Sequence, residues 1–242
     1  VMLSVISEPD DRDWLALRDG PRDYREILED GVAGLRIAYS ADLGFAPVDD
    51  EIAALTATAA KVFEDLGATV EECDPGFDDP MGVWKTLFFA AGPLLMEQLD
   101  ADQARLLDPH LQEHWGPGTA PSLTEYFAAV SAREALGQHM ARFHRNYDLL
   151  LTPVASTPAF DVGQNGPEGY GTDPAFDWIR FTPPFNLTHQ PAASVPCGFT
   201  KDGLPVGLHI VGPMSRDDLV LKAARAYEQA RPTWERRPVL AG

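Results

Sequence analysis

The chain has 242 residues, 45% of them hydrophobic, and a formal net charge of −18, so it can bury one large core or two small ones. So negative a chain fits neither nucleic acid nor an anionic membrane as partner, because both need a positive field. It holds no apolar run of about 18 residues and no basic-then-apolar leader pattern, and it reads as cytoplasmic with no membrane partner.

The opening VMLSVI is apolar from its first residue and reads as the last turns of a helix that begins upstream. Residues 1–34 form an acidic connector punctuated by Pro9, Gly20, Pro21, Gly31 and Gly34, with one short helix around 23–30. In the segment 35–154, LRIAY (35–39) reads as a strand. Asp49 caps a helix in which Ile52, Leu55, Ala59, Val62 and Leu66 recur at three- and four-residue spacing, and Gly67 stops it. ATVEEC (68–73) is the next strand, which makes a βαβ unit with parallel strands.

Residues 83–99 carry a helical face of Trp84, Leu87, Phe88, Ala91 and Leu95, kinked or broken at Gly92-Pro93. Residues 100–121 read as irregular, with one short helix near 103–107. Ser122 and Glu125 form a capping-box pattern that opens a long helix to about Arg145, with Tyr126, Val130, Leu136, Met140 and Phe143 inward. DLLLTPV (148–154) is a buried type of strand. The loop 155–177 is rich in Gly, Pro and Asn, and loops of that length are functional or disordered.

Residues 178–242 contain a proline-bounded helical turn, a hairpin and a final helix. The hairpin strands meet at Lys201-Asp202-Gly203, an Asp-Gly turn signal, and Val206, Leu208 and Ile210 alternate with Gly207 and His209. Pro191, Pro196 and Pro205 mark an edge strand or strand ends, since proline cannot donate to a ladder. Ser215 to Asp218 reads as a capping box for a helix with Leu219, Ala223, Tyr227 and Ala230 inward, ended by Pro232.

Several patterns bear on chemistry. His110, Glu113 and His114 spell HxxEH, which places two imidazoles one helical turn apart. Pro109 and Gly116-Pro117 confine that helix to under two turns and no third ligand is evident, so a surface histidine pair is the plainer reading. Gly163, Gly166, Gly169 and Gly171 lack the strand-to-helix setting of a phosphate cradle and read as flexible loop. There is no GxSxG elbow and no SxxK pair. Ser194 reads as a core or ladder position, Cys197 as a small buried hydrophobe, and His189 and His209 as structural. Cys73 and Cys197 read as reduced thiols. The residues alone point to an α/β fold with a site-like hairpin and no complete catalytic set.

FTPPFNLTHQPAASVPCGFTKDGLPVGLHIVGP (181–213), followed by a helix with AYEQA, resembles the C-terminal end of the amidase signature family. GLRIAYS, the 49–67 helix and ATVEECD resemble the family's middle βαβ segment, and YDLLLTPVASTPA its next core strand. The resemblance implies a three-layer α/β/α fold with a mixed sheet, of which residues 1–242 form the C-terminal portion of a single domain. It implies hydrolysis of C–N amide bonds of a small-molecule amide, through a Ser–cisSer–Lys acyl-enzyme mechanism that needs neither metal nor cofactor. The family's GGSSGGS segment and catalytic Lys do not occur here, and Lys61, Lys85, Lys201 and Lys222 do not match that Lys. The catalytic residues are therefore expected outside this chain, which by itself is expected to be inactive. By position, Thr182 and Phe185 match substrate-binding sites of the family, joined by Thr152, Pro153 and Trp178, with 155–177 as a variable rim. The resemblance also implies a missing N-terminal half as partner, possible homo-oligomers, and disorder near residues 1–30. The alternative is a non-catalytic amidase-like binding module.

Overall fold

The computed structural model describes residues 1–13 and 23–233. The chain runs through α1 (Met2–Ile6), a single 3-10 turn (Tyr24–Ile27), β1 (Arg36–Tyr39), α2 (Asp50–Asp65), β2 (Thr69–Glu72), α3 (Met81–Phe89), α4 (Gly92–Met96), α5 (Ala101–Arg105) and α6 (Pro109–Trp115). It continues through α7 (Leu123–Phe143), β3 (Leu149–Pro153), α8 (Pro174–Asp177), α9 (Pro183–Leu187), β4 (Ala192–Phe199), β5 (Pro205–Val211) and α10 (Asp217–Ala230). The expectation of disorder near residues 1–30 falls partly on 14–22, outside the described residues, as does the end of the final segment from 234.

The five strands form one mixed sheet in the order β2-β1-β3-β5-β4. β1 is parallel to β2 and β3, while β5 is antiparallel to both β3 and β4. Alternation along the strands sends side chains to opposite faces, and each face has its own core. On one face Ile37, Tyr39, Leu149, Leu151, Val195, Leu208 and Ile210 pack under α2 and α10, where Phe63 stacks on Tyr227 with ring centroids 5.6 Å apart. On the other face Ala38, Leu150 and Val211 pack under Leu136 and Met140 of α7, with Phe185 and Leu187 of α9. Helices on both faces make three layers.

Local signals account for most elements. Asp49 accepts from the N–H groups of Glu51 and Ile52, and Gly67 sits at φ +89° just past the helix, where a Cβ would be strained. Ser122 and Glu125 form the reciprocal cap of α7. Pro196 lies at a bulge of the edge strand β4, and Pro205 opens β5.

Other elements differ from the sequence expectation. The 83–99 stretch does break next to Gly92-Pro93, as its sequence indicates, into α3 and α4, because Pro93 cannot donate to the preceding turn, but its inward face differs. Phe88 and Leu95, expected inward, are 56% and 43% exposed. Residues 100–121 hold two helices, each opened by an aspartate cap, Asp100 and Asp108. Tyr126 faces outward at 39% exposure. Ser215 does not cap α10: it adopts φ +64°, Arg216 takes the N-cap position without a side-chain bond, and its guanidinium pairs with Asp218 at 2.9 Å.

Candidate functional site

Three neighbouring strands place Thr152, His209 and Ser194 in one row, since Thr152 pairs with His209 across β3–β5 and His209 with Ser194 across β5–β4. The row is not a catalytic triad. No carboxylate among the described residues orients His209, whose ring nitrogen Nδ1 lies 3.5 Å from Thr152 Oγ1. The Thr152 hydroxyl donates to the Pro153 carbonyl at 2.7 Å. Burial pushes His209 down to about 4, so it is neutral over the working range of most proteins. Phe185 of α9 closes over it edge-to-face at 5.5 Å.

At the β4 end of this row the covering stops. Val195 is buried against the α2/α10 core, whereas Ala192, Ser194 and Pro196, on the opposite face of the same strand, are exposed. An open strip of small residues therefore lies beside the α9 turn.

The loop after β3 is ordered by specific bonds. Ser156 donates its N–H to the Trp178 carbonyl at 3.0 Å and accepts at its own carbonyl from Asp49 N–H at 2.9 Å. Asp177 is buried and accepts from the N–H groups of Thr172 and Asp173 at 2.7 and 2.9 Å. Arg180 clamps both Asp177 and Asp79. Burial alone would raise Asp177, but the Asp173 and Thr172 amides and the Arg180 guanidinium outweigh it and hold the carboxyl below its usual value. Residues 155–177 are thus a folded rim ending in α8.

Between this rim and the hairpin lies a pocket of about 270 Å³, lined by residues that include Val154, Thr157, Phe160, Trp178, Ser194 and Gly207. Phe160 and Trp178 meet edge-to-face at 5.3 Å, and the indole N–H donates to the Ala175 carbonyl at 3.1 Å. A Cβ on Gly207 would come within 2.6 Å of Ser194 Oγ and 3.3 Å of Val154 Cγ2, so the Ser194 hydroxyl would have to turn away.

The five sequence-derived site residues fall in two groups. Phe185, Thr152 and Pro153 are buried. Thr182, at the start of α9, and Trp178, in the pocket, are half-buried and reachable. Reading by residue pattern missed Thr157, Phe160 and Gly207. The repeated Thr-Pro at 152–153 and 157–158 was the available signal.

Other singled-out residues are structural. His110 and His114 are half-buried rather than fully exposed and lie against Phe176 and Phe89, with His114 stacked on Phe89 at 4.5 Å. Burial, then the neighbouring His110 and Lys85, lowers the His114 pKa. Among the described residues no group of three or more His, Cys, Asp or Glu side chains is placed to hold a metal ion. Ser194 is a ladder residue but exposed, and burial pushes the Cys197 thiol up to about 12. Among the described residues no helix is long and apolar enough to cross a membrane.

The sequence matches the family described as Amidase over residues 1–221. The chain belongs to the amidase family. An acylamidase of Rhodococcus erythropolis is 32% identical over 98% of this chain and 51% of its own length. A glutamyl-tRNA(Gln) amidotransferase polypeptide of Ligilactobacillus salivarius is 28% identical over 100% of this chain and 54% of its own length. Among solved structures, a bacterial aryl acylamidase of the amidase signature family superposes with a TM-score of 0.82 at 29% identity, covering 96% of this chain and 52% of that one. The chain spans about half the length of the curated relatives it matches. The superposition covers nearly all of this chain, its mixed sheet and the helices on both faces included.

Proposed function

We propose that residues 1–242 are the C-terminal portion of a single amidase signature domain, with 1–34 as connector, 35–154 as the βαβ and helical region, 155–177 as the rim, and 178–242 as hairpin and final helix. Amide hydrolysis is the family's general chemistry, and this portion supplies one wall of the substrate site. The observation that supports the reading is the open strip of β4, Ala192, Ser194 and Pro196, next to the pocket that holds Trp178 and Ser194; Thr182 and the Phe185 turn are assigned to the same wall by the resemblance. The nucleophilic Ser, the cis-peptide Ser and the Lys base then come from an N-terminal half. A Lys can serve as a base only when burial lowers its pKa, and Lys85 instead pairs with Asp173 at 2.5 Å. The acyl-enzyme forms on that other half as the C–N bond breaks and the amine or ammonia leaves, and water then hydrolyses the acyl ester to release the carboxylate and restore the serine.

The test compares amine release from simple anilides and primary amides by the purified chain alone and by the chain joined to the upstream half of the Rhodococcus erythropolis acylamidase. The expected result is no turnover by the chain alone and turnover by the joined protein. Turnover by the chain alone that tracks with it through purification would overturn the reading, as would an inert joined protein that is folded.

A further inference from the structure

Among the described residues, three other than glycine take a left-handed backbone, and two of them, His189 at φ +54° and Ser215 at φ +64°, line one cavity. The third, Leu43 at φ +58°, is buried, and Ser40 Oγ accepts from its N–H at 2.8 Å, so its backbone has a packing reason. Residues held in that region cost free energy and gather at binding and catalytic sites. The cavity, of about 420 Å³, lies between α9 and the start of α10.

Packing does not explain His189. It is exposed, and among the described residues its imidazole has no hydrogen bond, ion pair or ring contact. The turn is closed by other groups: the Gln190 N–H donates to the Phe185 carbonyl and the Thr188 N–H to the Pro184 carbonyl, both at 3.2 Å. The Gln190 amide adds a bond to the Gly212 carbonyl at 2.9 Å and accepts from the Thr188 hydroxyl at 2.7 Å. Glycine at 189 would keep every one of these bonds without the strain. The imidazole is therefore held at a cost that no contact among the described residues offsets.

The surroundings say what it can bind. The side chains of Asn186, Ser215 and Asp217, in the same lining, also have no partner among the described residues. Asn186, His189 and Ser215 offer both donors and acceptors, which suits a neutral amide or hydroxyl. No Lys or Arg lines the cavity and Asp217 does, so a ligand carboxylate meets repulsion without a counter-charge. Pro191, also in the lining, leads straight into Ala192, the first residue of the open strip of β4.

We infer that His189 is a specificity-determining residue, whose imidazole hydrogen-bonds a neutral polar group of the substrate away from the bond that breaks. The inference rests on the amidase reading above, since the substrate reaches the cavity along the open strip of β4. Amides that carry a second amide or a hydroxyl are favoured, and those that carry a carboxylate are rejected.

The experiment measures steady-state hydrolysis by the joined protein of succinamide, its apolar isostere 4-methylpentanamide, and succinamate. Per cleavable amide, succinamide should have a KM about five-fold below that of 4-methylpentanamide, the scale of one net hydrogen bond, and succinamate should be the poorest substrate. His189→Gly should erase the advantage of succinamide by raising its KM about five-fold, with the change in KM and not in kcat. The same variant should not lower the melting temperature of the chain, because the strain is gone. His189→Asn, which tolerates a left-handed backbone and keeps a donor and an acceptor, should retain most of the advantage. Equal KM values for the two neutral amides, a His189→Gly change that falls on both alike, or an Asn variant that behaves as the Gly one, overturns the inference. A folded joined protein that cleaves none of the three, with His189 or without it, contradicts the amidase reading and this inference with it; one that cleaves both neutral amides without discriminating contradicts only this inference.

Discussion

The two faces of β4 make the most instructive contrast in the molecule. Toward α2 and α10, Val195 is 3% exposed and Ala193 and Cys197 pack beside it; toward α9, Ala192, Ser194 and Pro196 are open. Both faces arise from one eight-residue stretch, so composition alone does not decide which is covered. What decides it is the reach of the helices: α10 spans the α2-side face as far as the edge strand, whereas α7 and α9 stop over β3 and β5. The core face answers to packing, and the open one meets no such demand from the described residues. Pro196 and the bulge beside it also blunt the free edge of β4 against pairing with another chain.

Mutation can test each side of this contrast. The largest effect is expected from Phe63→Ala, which removes a fully buried ring from the α2-side core and should cost about 3–5 kcal/mol by urea denaturation. A loss below about 1 kcal/mol would mean that this face is not the anchoring one. Next is the pH dependence set by His209. Its folded-state pKa of about 4 lies below the ordinary value near 6.5, so the unfolded chain binds the proton first. The stability His209 allows is complete above about pH 6.5, falls as pH drops toward 4, and levels off below, an amplitude of roughly 3 kcal/mol. His209→Leu should flatten that window, and an unchanged slope would refute the assignment. Asp177 acts in the same sense but lower down, since a depressed carboxyl likewise loses its contribution as pH falls below its usual range.

Smaller again is the rim. Arg180→Met should cost about 2 kcal/mol, because Asp177 loses its guanidinium but keeps two backbone donors. It should also speed amide hydrogen exchange over 170–180. At the bottom of the scale, Ser194→Ala on the open face should change stability by no more than about 0.5 kcal/mol; a loss of several kcal/mol would make that face structural.

Much of the scaffold was legible in the sequence because its signals are local. Asp49 and Gly67 bracket α2, Ser122 and Glu125 open α7, and Asp202-Gly203 turns the hairpin. The misread places depend on distant partners. Ser215 takes a positive φ while Arg216 stands at the N-cap and pairs with Asp218, and His110 and His114 are half-buried against Phe176 of the 155–177 loop. The site was legible only by resemblance. That route named Thr182, Phe185, Thr152, Pro153 and Trp178 but not Thr157 or Phe160, whose relation to Trp178 and the hairpin exists only once the rim is folded.

If this chain builds a wall and the bond-breaking serine lies elsewhere, a serine-directed fluorophosphonate should find no target in it. Labelling read by peptide mass spectrometry is then expected to give no adduct anywhere in residues 1–242 of the folded chain, and an adduct confined to the added half once the two are joined. An adduct on Ser194, lost on denaturation, would contradict that division of labour.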